Sequence, residues 1–99
     1  CVVETEATGS PFAAETDGPA YRAFATAMSE AYGVEMTHLG QGGSIPLCNV
    51  FDELYPDAEI ILMGVEEPLA LIHAPNESVH PNEIASTALA EALFLQHYA

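Results

Sequence analysis

The sequence predicts an α/β fold: a three-layer α/β/α fragment with a small, mainly parallel sheet, in the order β-α-β-α-β-α. Three observations lead there. Apolar residues recur at helical spacing in three stretches, each opening near a proline. A β-prone apolar run precedes each of those stretches. The connections are long enough for crossover helices, as parallel pairing requires. Three strands are few for such a sheet, so the pattern points to a larger parent domain.

Val2 to Glu6 is the first β-prone run, and Gly9-Ser10-Pro11 ends it as a turn or hinge. Asp17-Gly18-Pro19 opens the first helix, with Asp17 expected as N-cap and Pro19 near the first helical position. Tyr21, Phe24, Met28 and Tyr32 give it one apolar face, and Gly33 closes it. Val34 to Leu39 is expected to be the second strand. Pro46 to Leu54 reads as a short helix with Leu47, Val50, Phe51 and Leu54 on one side, broken by Tyr55-Pro56-Asp57. Glu59 to Val65 is a nearly continuous apolar run, as in a strand buried on both faces. Glu66 to Ser78 has two prolines and no period. Pro81 to Tyr98 is the last helix, with Glu83 in its first turn. Ile84, Ala88, Leu89, Ala92, Leu93 and Leu95 are expected as its buried stripe.

Composition narrows the function. The 99 residues suffice for one small domain, and 15 acidic residues face a single basic one, Arg22, for a formal charge of −14. A nucleic-acid partner is excluded, because neutralising phosphates needs Lys and Arg. The same balance argues against an anionic membrane surface. The longest apolar stretch, Ile60 to Ile72, is broken by Glu66-Glu67-Pro68, so nothing spans a bilayer. Two cysteines, Cys1 and Cys48, make no disulfide framework; Cys48 lies in an apolar helical stretch where a free thiol is usual. A reduced, cytoplasmic setting is the expectation. The opening at Cys1, without Met or a basic leader, reads as the start of a C-terminal piece of a longer protein.

Two strand exits carry chemistry, since ligands of open α/β sheets bind beyond the carboxyl ends of strands. The first is Gly40-Gln41-Gly42-Gly43-Ser44. Adjacent glycines let backbone N–H groups approach an anion, the following helix N-terminus adds partial positive charge, and Ser44 adds a hydroxyl donor. No Lys follows, so it is not a P-loop. The second is Leu71-Ile72-His73-Ala74-Pro75-Asn76-Glu77. An imidazole there can ligate a metal or relay a proton, with Asn76 and Glu77 placed to orient it. HxD and HExxH motifs are absent, and a catalytic zinc needs about three protein ligands, so the chain cannot build such a site alone.

Gly9-Ser10-Pro11-Phe12, Pro19-Ala20-Tyr21, Gly42-Gly43-Ser44-Ile45-Pro46 and His73-Ala74-Pro75-Asn76-Glu77 occur in an order that resembles the C-terminal part of metallopeptidase family 20. That family includes carnosinase-like dipeptidases, glutamate carboxypeptidases and succinyl-diaminopimelate desuccinylases; the cytosolic nonspecific dipeptidase branch is the most similar. The resemblance covers essentially the whole chain. It implies a parent hydrolase with two divalent metals, zinc or manganese, in a zinc-exopeptidase-like catalytic domain, and a dimerising lid. Residues 1–8 would end the lid domain and 9–99 would form the C-terminal part of the catalytic domain. His73 would be a metal ligand, and Gly42, Gly43 and Ser44 would cradle the substrate carboxylate or the oxyanion. Dipeptides or N-acyl amino acids would be the substrates, the rest of the catalytic domain would be a partner, and the parent would be a homodimer; the exposed edges of so short a chain point to association with the missing portion or with a second copy. The remaining ligands and the general base would lie upstream, so this chain alone is expected to be inactive and to bind no metal tightly. The sequence departs from carnosinase-like relatives at Glu6-Ala7-Thr8, where they carry a substrate-contacting histidine before the hinge glycine. The competing reading is a small acidic anion-binding or interaction module without catalysis.

Overall fold

The computed structural model describes residues 1–5, 9–40 and 45–99. Three helices appear in it: α1 (Pro19–Tyr32), α2 (Pro46–Leu54) and α3 (Pro81–Tyr98). Each has proline in its first turn, where the missing N–H costs nothing. Gly33 ends α1 in the left-handed conformation (φ 71°), its N–H bonded to the Ser29 carbonyl. Tyr55 ends α2 with a bond from its N–H to the Phe51 carbonyl. All three helices therefore stand where periodicity and punctuation put them.

The expected sheet does not form. No strand is present among the described residues, and the three-layer α/β/α arrangement is overturned. An apolar run reports what a segment could bury, but a strand also needs a partner edge for its N–H and C=O groups. Segments 34–39 and 59–65 instead meet at α1 through side chains. The Tyr21 and His38 rings lie 6.1 Å apart, and the Tyr21 hydroxyl donates to the Ile60 carbonyl. Val2 and Val3 are almost fully exposed.

The start of α1 is held from a distance. Gly18, not Asp17, occupies the N-cap position, and no side chain at that position caps the helix. The Glu59 carboxylate supplies the acceptors instead: Oε2 takes the Ala20 N–H at 2.9 Å and Oε1 the Tyr21 N–H at 3.1 Å. Two orphan amides of the first turn are thereby satisfied, and a negative charge sits at the positive end of the helix dipole. Gly18 leaves room for this carboxylate, since a Cβ there would meet Glu59 Oε1 and push the clamp aside.

The core is the α1–α3 contact, the one packed helix pair among the described residues. Ala20, Tyr21, Phe24 and Ala27 of α1 are buried, as are Thr87 and Ala90 of α3. Phe24 meets Phe94 edge to face at 5.7 Å, and Phe94 stacks on Tyr98 at 5.4 Å. The Tyr32 hydroxyl reaches Glu83 at 3.2 Å and Thr87 at 3.0 Å, and His97 pairs with Glu30 at 3.2 Å.

The stripe expected to be buried on α3 is a second correction: Ile84 is 52% exposed and Leu95 67%. Apolar and polar residues of α3 are only weakly segregated into faces, so spacing alone did not select the packed side. The small Ala90 and Thr87 let α1 approach closely, and that side is used. Segment 59–65 is also not buried on both faces, since Leu62, Met63 and Val65 are exposed. The radius of gyration is 16.1 Å, against about 13 Å for a compact domain of this length.

Removing the Glu59 clamp should weaken α1. Glu59→Ala is expected to cost about 1–2 kcal/mol, the range for a lost N-cap, and Gly18→Ala a similar amount through the clash. Urea unfolding followed by helical circular dichroism measures both. Burial pushes the Tyr21 hydroxyl above its ordinary value, and the neighbouring Glu59 charge adds to this. A phenol raised in the folded state contributes its stability in full below pH about 10 and loses it as pH rises through the folded value. Stability should fall at alkaline pH, and Tyr21→Phe should remove this Tyr21 component.

Candidate functional site

The second strand exit of the sequence is a closed loop in the structure. Ala70 is buried and anchors it, and the Ser78 N–H donates to the Ala70 carbonyl at 2.9 Å across the loop mouth. Inside that closure, Ala74 N–H bonds to Leu71 O at 2.9 Å and Glu77 N–H to Ala74 O at 3.2 Å. Two tight turns therefore follow one another. Upstream, the Glu67 side chain accepts from the Leu69 N–H at 2.8 Å and its carbonyl accepts from Ala70 N–H.

Such tight folding demands unusual backbone. Leu71, His73 and Asn76 all have positive φ, at 56°, 59° and 62°. Asn and His are enriched in this region among non-glycine residues, whereas a bulky Leu adopts it at a cost of about 1–2 kcal/mol. Non-glycine residues in this region concentrate at ligand-binding and catalytic sites. Here the conformation places the His73 side chain in solvent on the loop surface.

The loop joins α3 through His80, whose Nδ1 accepts from the Asn82 N–H at 3.1 Å. An imidazole thus serves as N-cap, a role ordinarily taken by Ser, Thr, Asp or Asn. Residue type alone does not give His80 this task. The adjacent Pro81 at the first helical position was the available signal.

His73, Asn76 and Glu77 share this one loop, and all three are exposed. Gly42, Gly43 and Ser44 lie outside the described residues, so the proposed cradle has no geometry to report. Gly40 and Ile45 flank it, both exposed, and Ile45 takes the N-cap position of α2. Cys48 on α2 is a free, buried thiol, as its apolar setting suggested, and Cys1 is free and exposed. Among the described residues no three His, Cys, Asp or Glu side chains converge on a point that could hold a metal. The described residues therefore do not fit a complete metal centre, and His73 is an exposed imidazole with no second ligand converging on it. None of the described helices is long and apolar enough to cross a membrane.

The chain is related to a dipeptidase. Its sequence is 46% identical over 99 residues, covering 97% of this chain, to a cysteinylglycine-S-conjugate dipeptidase of Corynebacterium striatum. The chain spans 22% of that relative's length. No family model matches, and no solved structure matches.

The loop should respond to substitution according to its backbone. Asn76→Ala is expected to destabilise by about 1 kcal/mol, and Leu71→Gly to stabilise by up to about 1 kcal/mol, since glycine adopts positive φ freely. His80→Ala should cost about 1 kcal/mol through the lost cap. Thermal unfolding of the three variants, with hydrogen exchange at the Ser78 amide as local reporter, checks these values.

Proposed function

We propose that this chain is a segment of a metal-dependent dipeptidase, contributing one metal ligand, His73, and a cradle for the substrate carboxylate or the oxyanion at Gly42, Gly43 and Ser44. The observation that carries the reading is the 46% identity to a dipeptidase over 97% of the chain. An exposed histidine in a backbone conformation typical of functional loops supports it. Residues 9–99 then belong to the catalytic domain of a peptidase of family 20 type, and residues 1–8 end the lid.

The reaction is hydrolysis of the amide bond of a dipeptide or N-acyl amino acid. In the parent enzyme, two zinc or manganese ions would supply an activated water and polarise the scissile carbonyl. The described residues do not form that centre, and this chain's own groups bind and orient. The imidazole of His73 would offer a ring-nitrogen lone pair to a cation. Asn76 and Glu77, three and four residues on in the same exposed loop, would hold the ring's orientation through its other nitrogen. At Gly42-Gly43-Ser44, backbone N–H groups and a hydroxyl would bind the substrate carboxylate or stabilise negative charge that grows in the transition state. The acidic composition leaves Arg22 as the one fixed cation, so such N–H groups are the main donors available for an anion.

The test is metal analysis and dipeptide hydrolysis on the full-length protein that carries this segment, with the 99-residue chain as control. His73→Ala should abolish most activity and lower the bound metal, whereas normal metal stoichiometry in that variant would overturn the assignment. Ser44→Ala should slow hydrolysis on the order of 10- to 100-fold, as loss of one donor does. An unchanged rate and Michaelis constant would remove Ser44 from the cradle.

A further inference from the structure

The two ends of α3 carry histidines with opposite electrical demands. At its start, His80 accepts the first three amides of the helix. Its carbonyl takes the Glu83 N–H at 2.9 Å and the Ile84 N–H at 3.4 Å, and its ring Nδ1 takes the Asn82 N–H at 3.1 Å. A ring nitrogen accepts only while it carries no proton, so this cap needs the neutral imidazole. A protonated ring would also put positive charge at the positive end of the helix dipole. At the other end, His97 Nε2 lies 3.2 Å from Glu30 Oε2 of α1. There a proton on the ring completes an ion pair, and the charge stands at the favourable end of the dipole.

The ionisable groups around each ring preserve the contrast. From α1, Glu30 faces His97, while Arg22 is turned to the Asp17 carbonyl. On α3 itself, Glu91 and Tyr98 are the ionisable groups near His97 in sequence. For His80 they are Glu77 in the preceding loop, Glu83 in the first turn and, from α1, Tyr32, whose hydroxyl donates to Glu83 at 3.2 Å. Among the described residues no carboxylate stands within ion-pair distance of the His80 ring. Its charged form therefore finds no partner to replace the lost cap.

We propose that acidification releases the N-terminal end of α3, with the loop it closes, while fastening the C-terminal end to α1. The loop follows because its closing bond, from the Ser78 N–H to the Ala70 carbonyl, lies two residues from the ring that lets go. Leu71, held at positive φ inside the loop, is then free to relax. α3 stays docked through Phe24 and Phe94. This device needs neither metal nor substrate and stands apart from the dipeptidase reading.

The experiment is amide exchange on the full-length protein that carries this segment, corrected for intrinsic rates, between pH 8 and pH 5, the interval in which imidazoles change charge. His80→Asn keeps a capping acceptor at both values, and His80→Ala keeps none. Protection of the Ser78 and Asn82 amides should fall on acidification about fivefold more in the wild type than in His80→Asn, the equilibrium worth of one cap. His80→Ala should be poorly protected throughout. An equal fall in wild type and His80→Asn would overturn the proposal, because another group, His73 included, would then be titrating. So would wild-type protection in His80→Ala at pH 8, since the ring would not be the cap. His97→Gln reads the other end: the last turn should lose protection relative to wild type at pH 5 and not at pH 8. Equal protection at pH 5 would overturn the fastening to α1.

Discussion

The Glu59 carboxylate is the interaction on which the rest of the described structure depends. It binds two amides at the start of α1, and the next residue, Ile60, accepts the Tyr21 hydroxyl. A segment with no strand partner among the described residues is thereby fixed to a helix by three hydrogen bonds. Gly18 makes the approach possible by having no side chain in the way. With α1 placed, Phe24 and Ala27 are presented to α3, and the Tyr32 hydroxyl reaches Thr87 and Glu83. The small core follows from these contacts.

The same carboxylate shows how so acidic a chain satisfies its charges. With Arg22 the one Lys or Arg residue, carboxylates cannot rely on conventional ion pairs. They turn to other donors. Glu59 and Glu67 accept from backbone amides, Glu83 from a phenol, and Glu30 lies against an imidazole. Arg22 spends a guanidinium N–H on the Asp17 carbonyl. Charge-assisted bonds to backbone N–H groups are stronger than neutral ones, and those at a helix start also meet a favourable dipole. The acidic composition is therefore partly structural, and some of the carboxylates act as caps.

How much of this was legible depends on how local the cause is. Helix limits were legible because Pro19, Gly33, Pro46 and Pro81 act within one turn of themselves. The sheet was not, because a strand is defined by a partner, and the runs at 34–39 and 59–65 say nothing about whether one is adjacent. Asp17 looked like the cap of α1, whereas the true acceptor stands 39 residues from Ala20, beyond the reach of any spacing rule. The packed side of α3 was hidden by its excess of apolar residues: Ile84 and Leu95 compete with Phe94 in the sequence, and only the α1 contact decides. At the candidate site, prolines and lack of period marked 66–78 as irregular. They did not disclose that three non-glycine residues there adopt positive φ, since that follows from closing Ser78 onto Ala70. Gly42, Gly43 and Ser44 lie outside the described residues, and the cradle proposed there rests on the motif.

These dependencies run through to His73. Its loop is tethered at one end by buried Ala70 and passes at the other into α3 through the His80 cap. α3 is held by α1, and α1 by Glu59. The position of the candidate ligand is therefore set by a chain of contacts in which no member touches the ligand itself. Strain inside the loop can persist only because both ends are fixed, since a free segment would relax its left-handed residues toward ordinary φ. A change at Gly18 or Glu59 should accordingly be felt at His73 as a loosened loop, through α3, even though neither residue takes part in the chemistry proposed for it.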